Sequence, residues 1–177
     1  MNKGTIKLGD KVMVSDPCYG LNTWCQGVLE NVLPGIYDCY VEYSDEGEWG
    51  IRSASIEVIH QDCENPQFEA EDFEVGVDSG QAGIFDYDHY ARYHSDRLES
   101  EHVNDDWYEK VCGITLSKEQ AGIVDGVGFV SSSGYGDGGY VCRTAKDENG
   151  RIVAIRVDFI EGNEDEEYED EEYEDIF

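Results

Sequence analysis

Positive charge is what this sequence lacks most. Twelve Lys and Arg stand against 41 Asp and Glu in 177 residues, a formal net charge of −29. A chain so poor in basic side chains has nothing to neutralise a phosphate backbone or an anionic lipid surface, so direct nucleic-acid and membrane binding are excluded as expectations. It also lacks any apolar run approaching the ~20 residues of a membrane span. The opening Met1-Asn2-Lys3-Gly4 leads into a mixed stretch without the apolar segment of a secretory signal. The expected compartment is therefore the cytoplasm, or a host cytoplasm for a phage-encoded chain. The six cysteines (Cys18, Cys25, Cys39, Cys63, Cys112, Cys142) form no Cys-x-x-Cys pair and no Cys/His cluster with zinc spacing, so they read as free thiols, several of them core fillers.

The abundant negative charge is uneven. Residues 161–177 hold 11 acids and no base, leaving 30 acids against 12 bases in the body. This low-complexity stretch predicts a disordered tail. A second reading makes it an acidic arm that docks on a basic surface through Tyr168, Tyr173 and Phe177.

The body, residues 1–160, reads as one β-rich domain. Val12 to Val14 form an apolar strand closed by Asp16-Pro17, and Gly83 to Phe85 form another closed by Asp86. Two hairpins follow similar patterns. Gly35-x-Tyr37-x-Cys39 with Arg52-x-x-x-Ile56-x-Val58 resembles Gly138-x-Tyr140-x-Cys142 with Arg151-x-x-x-Ile155-x-Val157. Alternation of apolar and polar residues marks these as half-buried strands. Asn149-Gly150 marks the second turn, since both residue types tolerate positive φ. The expected fold class is α+β, mainly β: antiparallel sheets or a sandwich from two related β units (10–60 and 73–160). A helical insert at about 87–125 interrupts the second unit. There Asn104 can cap a helix beginning near Trp107, and Ser117-Lys118-Glu119-Gln120 fits a capping box.

Aspartates recur beside glycine, proline or a strand end: Asp16, Asp78, Asp86 and Asp137. Gathered together, such carboxylates can bind Ca²⁺ or Mg²⁺, which prefer oxygen ligands, or act as a general acid and base. Scattered, each closes a turn by bonding its own backbone. Gly134 to Gly139 is not a phosphate loop, because it lacks the Gly-Lys-Ser/Thr ending, and it does not match an EF-hand loop. Ser79, Cys18 and Ser131–Ser133 are nucleophile candidates, but no histidine sits in a triad motif. His94 and His102 read as surface residues; Trp24, Trp49 and Trp107 read as core or rim aromatics.

Two longer motifs carry a resemblance. Val75 to Asp86 (VGVDSGQAGIFD) and Ser132 to Tyr140 (SSGYGDGGY) resemble the signatures of the domain of unknown function 4241 family, as do Asp16-Pro17 and Pro34-Gly35-Ile36-Tyr37. The resemblance covers about residues 10 to 160, but neither segment 87–125 nor the tail. It implies a shared architecture and a shared site at Asp16, Asp78, Ser79, Asp86, Gly136, Asp137 and Tyr140, in proteins of bacteria and their phages. It names no substrate. The leading functional expectation is an acidic binding or inhibitor protein acting on a basic or nucleic-acid-binding host protein. The alternative is a metal-dependent hydrolase or metal-binding domain using Asp16, Asp78, Asp86 and Asp137.

Overall fold

Alternation of buried and outward side chains sets the longest strands. In β4 (Gly35–Asp45), Tyr37, Cys39 and Val41 are buried while Asp38, Tyr40 and Glu42 point outward. β5 (Ile51–His60) returns antiparallel to it. The computed structural model describes residues 1–94 and 104–161. The acidic tail with Tyr168, Tyr173 and Phe177, and also His102, lie outside the described residues.

Two antiparallel sheets form the body. The first contains β1 (Asn2–Leu8), β4, β5, β6 (Glu69–Val77), β10 (Gly138–Lys146) and β11 (Ile152–Asp158), in the order β1-β4-β5-β11-β10-β6. The second contains β2 (Val12–Ser15), β3 (Gly27–Leu29), β7 (Gln81–Asp86), β8 (Ala121–Val124) and β9 (Gly128–Ser132), in the order β3-β2-β7-β9-β8. The fold is α+β, mainly β.

β2 and β7 are apolar on both faces because both faces are covered. Val12, Val14 and Ile84 pack into the core between the sheets, with Ile6, Tyr37, Ile56, Val58, Ile155 and Val157. Met13 and Phe85 point the other way, into a second core with Tyr90, Trp107, Val111, Val124 and Val130. Fully burying each large apolar side chain is worth about 1.5–3 kcal/mol. Helices α1 (Tyr87–Tyr93) and α2 (Asp105–Thr115) cover this second core, making a third layer. Each starts on a side-chain cap: the Asp86 carboxylate accepts from the His89 amide, and the Asn104 side chain accepts from the Trp107 amide.

The sheets are tied at both long edges. On one side the Lys7 amide donates to the Gly126 carbonyl, 2.9 Å. On the other the Gly76 amide donates to the Cys25 carbonyl, 3.0 Å, and Phe73 of β6 lies over Gly27 of β3. Such ties leave little unpaired edge for another chain to extend.

The order of the first sheet reads alike from either end when β1, β4 and β5 are exchanged for β6, β10 and β11. The two similar sequence segments pair with each other at its centre: Ile56 faces Val157, Val58 faces Ile155, and Glu57 faces Arg156. In the second sheet β2 and β7 form the corresponding centre, with Val14 opposite Ile84.

Three local expectations are corrected. The insert holds two helices, but its last part, Ala121–Val124, is a strand, because it pairs with β9 from Ala121 to Val124. Ser117–Gln120 starts no helix: the Ser117 hydroxyl and amide both bond the Ile114 carbonyl, closing the end of α2. In the second hairpin only Gly150 has positive φ (77°), since the loop spans Asp147 to Arg151 and needs one left-handed residue, not two. Among the described residues no helix is long and apolar enough to cross a membrane.

Candidate functional site

At the end of β2 the chain turns through Asp16-Pro17, and the Asp16 side chain is wholly buried. Its Oδ1 accepts from the Cys18 amide (2.9 Å) and the Ser79 hydroxyl (2.6 Å). Its Oδ2 accepts from the amides of Asp78 (2.8 Å) and Ser79 (2.7 Å). Four donors satisfy a buried carboxylate, so its charge is spent on holding the β6–β7 turn against the end of β2. The structure thus brings together Asp16, Ser79 and the backbone of Asp78, while the exposed Asp78 side chain takes no part in the clamp.

Ser79 and Cys18 have the surroundings of structural groups. The Ser79 hydroxyl gives its proton to Asp16 and accepts from the Gln81 side-chain Nε2 at 3.2 Å; among the described residues no histidine joins this set. Gln81 carries the network onward, accepting from the Thr115 hydroxyl at 2.7 Å and reaching the Tyr108 hydroxyl at 3.3 Å. Burial, followed by the nearby Asp16 charge, holds the Cys18 thiol far above its ordinary pKa, so it is not a thiolate nucleophile.

Asp86 closes the opposite end of β7. Its Oδ1 accepts from the Gly9 amide at 2.9 Å, and its Oδ2 caps α1 through the His89 amide at 3.4 Å. Asp137 is exposed in the loop between β9 and β10. That loop folds on itself: the Tyr140 hydroxyl reaches the carbonyls of Gly136 (2.5 Å) and Ser133 (3.0 Å), and the Ser133 hydroxyl donates to Gly136 (2.8 Å). Of the two arrangements the sequence left open for Asp16, Asp78, Asp86 and Asp137, convergence on one cation or scatter over separate turns, the described residues show the second. Asp16 and Asp86 sit at opposite ends of the β2–β7 pair with their oxygens committed to backbone amides. Among the described residues no group of three or more His, Cys, Asp or Glu is placed to hold a metal.

His94 is likewise not a surface residue. It is buried, stacks on Tyr90 at 3.6 Å between ring centres, and sets its two ring nitrogens 2.7 and 2.8 Å from the carbonyls of Tyr90 and Pro17. Burial lowers its pKa despite those acceptors. A cleft of about 660 Å³ lies elsewhere, between residues 60–67 and the β10–β11 turn. Its histidine, His60, donates from Nε2 to the Pro34 carbonyl and accepts at Nδ1 from the Asp62 amide, so neither nitrogen is free for chemistry.

The sequence reading missed an exposed aromatic face. Trp107 is core, but Trp49 is 67% exposed, Tyr135 56% and Ile51 53%. Arg52 joins them: its Nε donates to the Trp49 carbonyl (2.9 Å), its Nη1 to the Gly134 carbonyl (3.2 Å), and its guanidinium lies 5.5 Å from the Tyr135 ring centre. Asp45, Glu46 and Glu48 occupy the same hairpin end. The available signal was the run Asp45-Glu46-Gly47-Glu48-Trp49-Gly50, in which a tryptophan sits inside an acidic turn where no core lies.

No family model matches the chain, and no curated protein or solved structure matches it either.

Proposed function

We propose that this is an acidic binding protein whose partner is a basic protein surface, such as the nucleic-acid-binding face of another protein. The observation that supports it best is the imbalance of free surface charge. Much of the scarce positive charge is already engaged: Lys3, Lys110, Arg143, Arg151 and Arg156 are in ion pairs, and Lys11 and Arg52 lie over tyrosine rings. The surface left to a partner is overwhelmingly negative, and such a field steers and holds a positive surface. The geometry around Asp16 and Ser79 adds support, since it spends the most suggestive carboxylate and hydroxyl internally.

The test is a titration of the full chain with a basic DNA-binding domain in 20 mM and 200 mM salt, with duplex DNA as competitor. The expected result is binding that weakens at least tenfold at the higher salt and displaces the DNA. Absence of binding at 20 mM salt, or binding of the chain to the DNA itself, overturns the reading.

A further inference from the structure

We infer that the β4–β5 hairpin end and the Tyr135 loop form the docking face for that basic partner, with Trp49 as anchor and the partner's arginines as the groups recognised. The inference rests on the reading just given and places it on named residues.

Local sequence sets up the anchor. Asp45 Oδ1 accepts from the Gly47 amide, Glu46 donates to the Gly50 carbonyl, and Gly47–Trp49 forms one 3-10 turn. Gly50 adopts φ 78°, which favours glycine. The turn is closed by its own backbone, so Trp49 is presented on a rigid support and little freedom is lost on binding. Among the described residues no ring or cation engages its indole. A large exposed aromatic on a fixed turn is the kind of residue that carries most of an interface's binding energy.

Charge and local chemistry specify the occupant. A second copy of this chain brings another −29, and nucleic acid or an anionic membrane brings more negative charge, so all three are repelled. A guanidinium suits the face because one already sits there. Arg52 lies over Tyr135, donates to the carbonyls of Trp49 and Gly134, and has Glu46 beside the same ring. A partner's arginine over the Trp49 indole, flanked by Glu46 and Glu48, would repeat that arrangement; lysine has no planar group to stack and fork. Trp24, 94% exposed on the loop before β3, has no charged residue within five positions in sequence and serves as a control.

The experiment is amide NMR and calorimetry on the full chain in 20 mM salt, using a dodecapeptide of alternating arginine and glycine and its lysine counterpart. Expected are shifts confined to residues 45–52 and 133–137, and arginine binding at least fivefold tighter than lysine. Trp49→Ala should weaken binding at least tenfold with unchanged melting, Glu46→Gln with Glu48→Gln should weaken it several-fold, and Trp24→Ala should leave it unchanged. Shifts spread over the whole acidic surface, equal binding of both peptides, or full binding by Trp49→Ala would overturn this face and leave the broader reading standing. Failure of both peptides and of the basic domain to bind takes down both.

Discussion

Asp16 and Asp86 hold opposite ends of one strand pair by the same device. Asp16 follows the last residue of β2 and Asp86 is the last residue of β7, and each carboxylate accepts from an amide just downstream, of Cys18 or His89. Each also reaches across to amides preceding the partner strand: Asp78 and Ser79 for Asp16, Gly9 for Asp86. Both are clasps between β2 and β7, and the β2–β7 ladder lies between them.

A clasp should show in stability. Asp16→Asn turns an amide group toward backbone donors that need acceptors, and leaves a buried site unsatisfied. We expect a loss of about 2–3 kcal/mol. Asp78→Asn, changing an exposed carboxylate, should stay within about 0.5 kcal/mol. Urea denaturation of the two variants decides it; equal effects would deny Asp16 its special place.

Gly83 makes a second case. A Cβ there would meet the Phe129 carbonyl oxygen at 2.9 Å and the Phe85 ring at 2.5 Å. A backbone oxygen in the centre of a sheet cannot step aside. Gly83→Ala is expected to cost about 1–3 kcal/mol by overpacking, read as a lower denaturation midpoint. Gly126→Ala, with open space around it, is the reference for backbone strain alone.

His89 gives a pH dependence. Burial lowers its pKa, against the pull of Asp125, and its Nε2 accepts from the Trp107 indole at 3.3 Å. The unfolded chain, with an ordinary value of about 6.5, then binds the proton more readily than the fold. This contribution is complete above about pH 6.5 and is lost as pH falls toward the folded value. Thermal melts at pH 7 and pH 5 should show a larger loss in the native chain than in His89→Gln, which still offers Trp107 an acceptor but does not titrate. Comparing the two chains removes the effect of protonating the many carboxylates, and of His94, since both share them. Parallel pH profiles would count against a neutral His89.

Salt should stabilise the free protein. The Debye length shrinks from about 30 Å at 0.01 M to about 3 Å at 1 M, which relieves self-repulsion at −29. The melting temperature is expected to rise by several degrees across that range. A fall would mean that ion pairs such as Arg156 with Glu57 (2.9 Å) outweigh the net charge.

The hairpins were legible because Tyr37, Cys39 and Val41, or Ile155 and Val157, repeat at the period of a strand with one face buried. β3 and β8 were not, being three and four residues long and defined by their partners across the sheet. β1 is polar over most of its length, so its pattern carries little signal. Asp16, Ser79 and Asp86 stand out in the sequence by their glycine, proline and strand-end neighbours, but their duty could not be read there. It depends on amides some 60 to 80 residues away in sequence, and no local spacing encodes those. Trp49 was read only as a core or rim aromatic because tryptophan is so often buried; its acidic neighbours were the signal for the exposed position.

The matched order of the strands about Glu57 and Arg156 has an architectural consequence. Two separate five-strand chains, set face to face on that axis, would build the central β4-β5-β11-β10 run and the β2–β7 pair without any covalent link. The present molecule then corresponds to a tethered pair. Its helices and β8 lie in one half only, and the exposed Trp49 of the other half has no counterpart in the turn between β10 and β11.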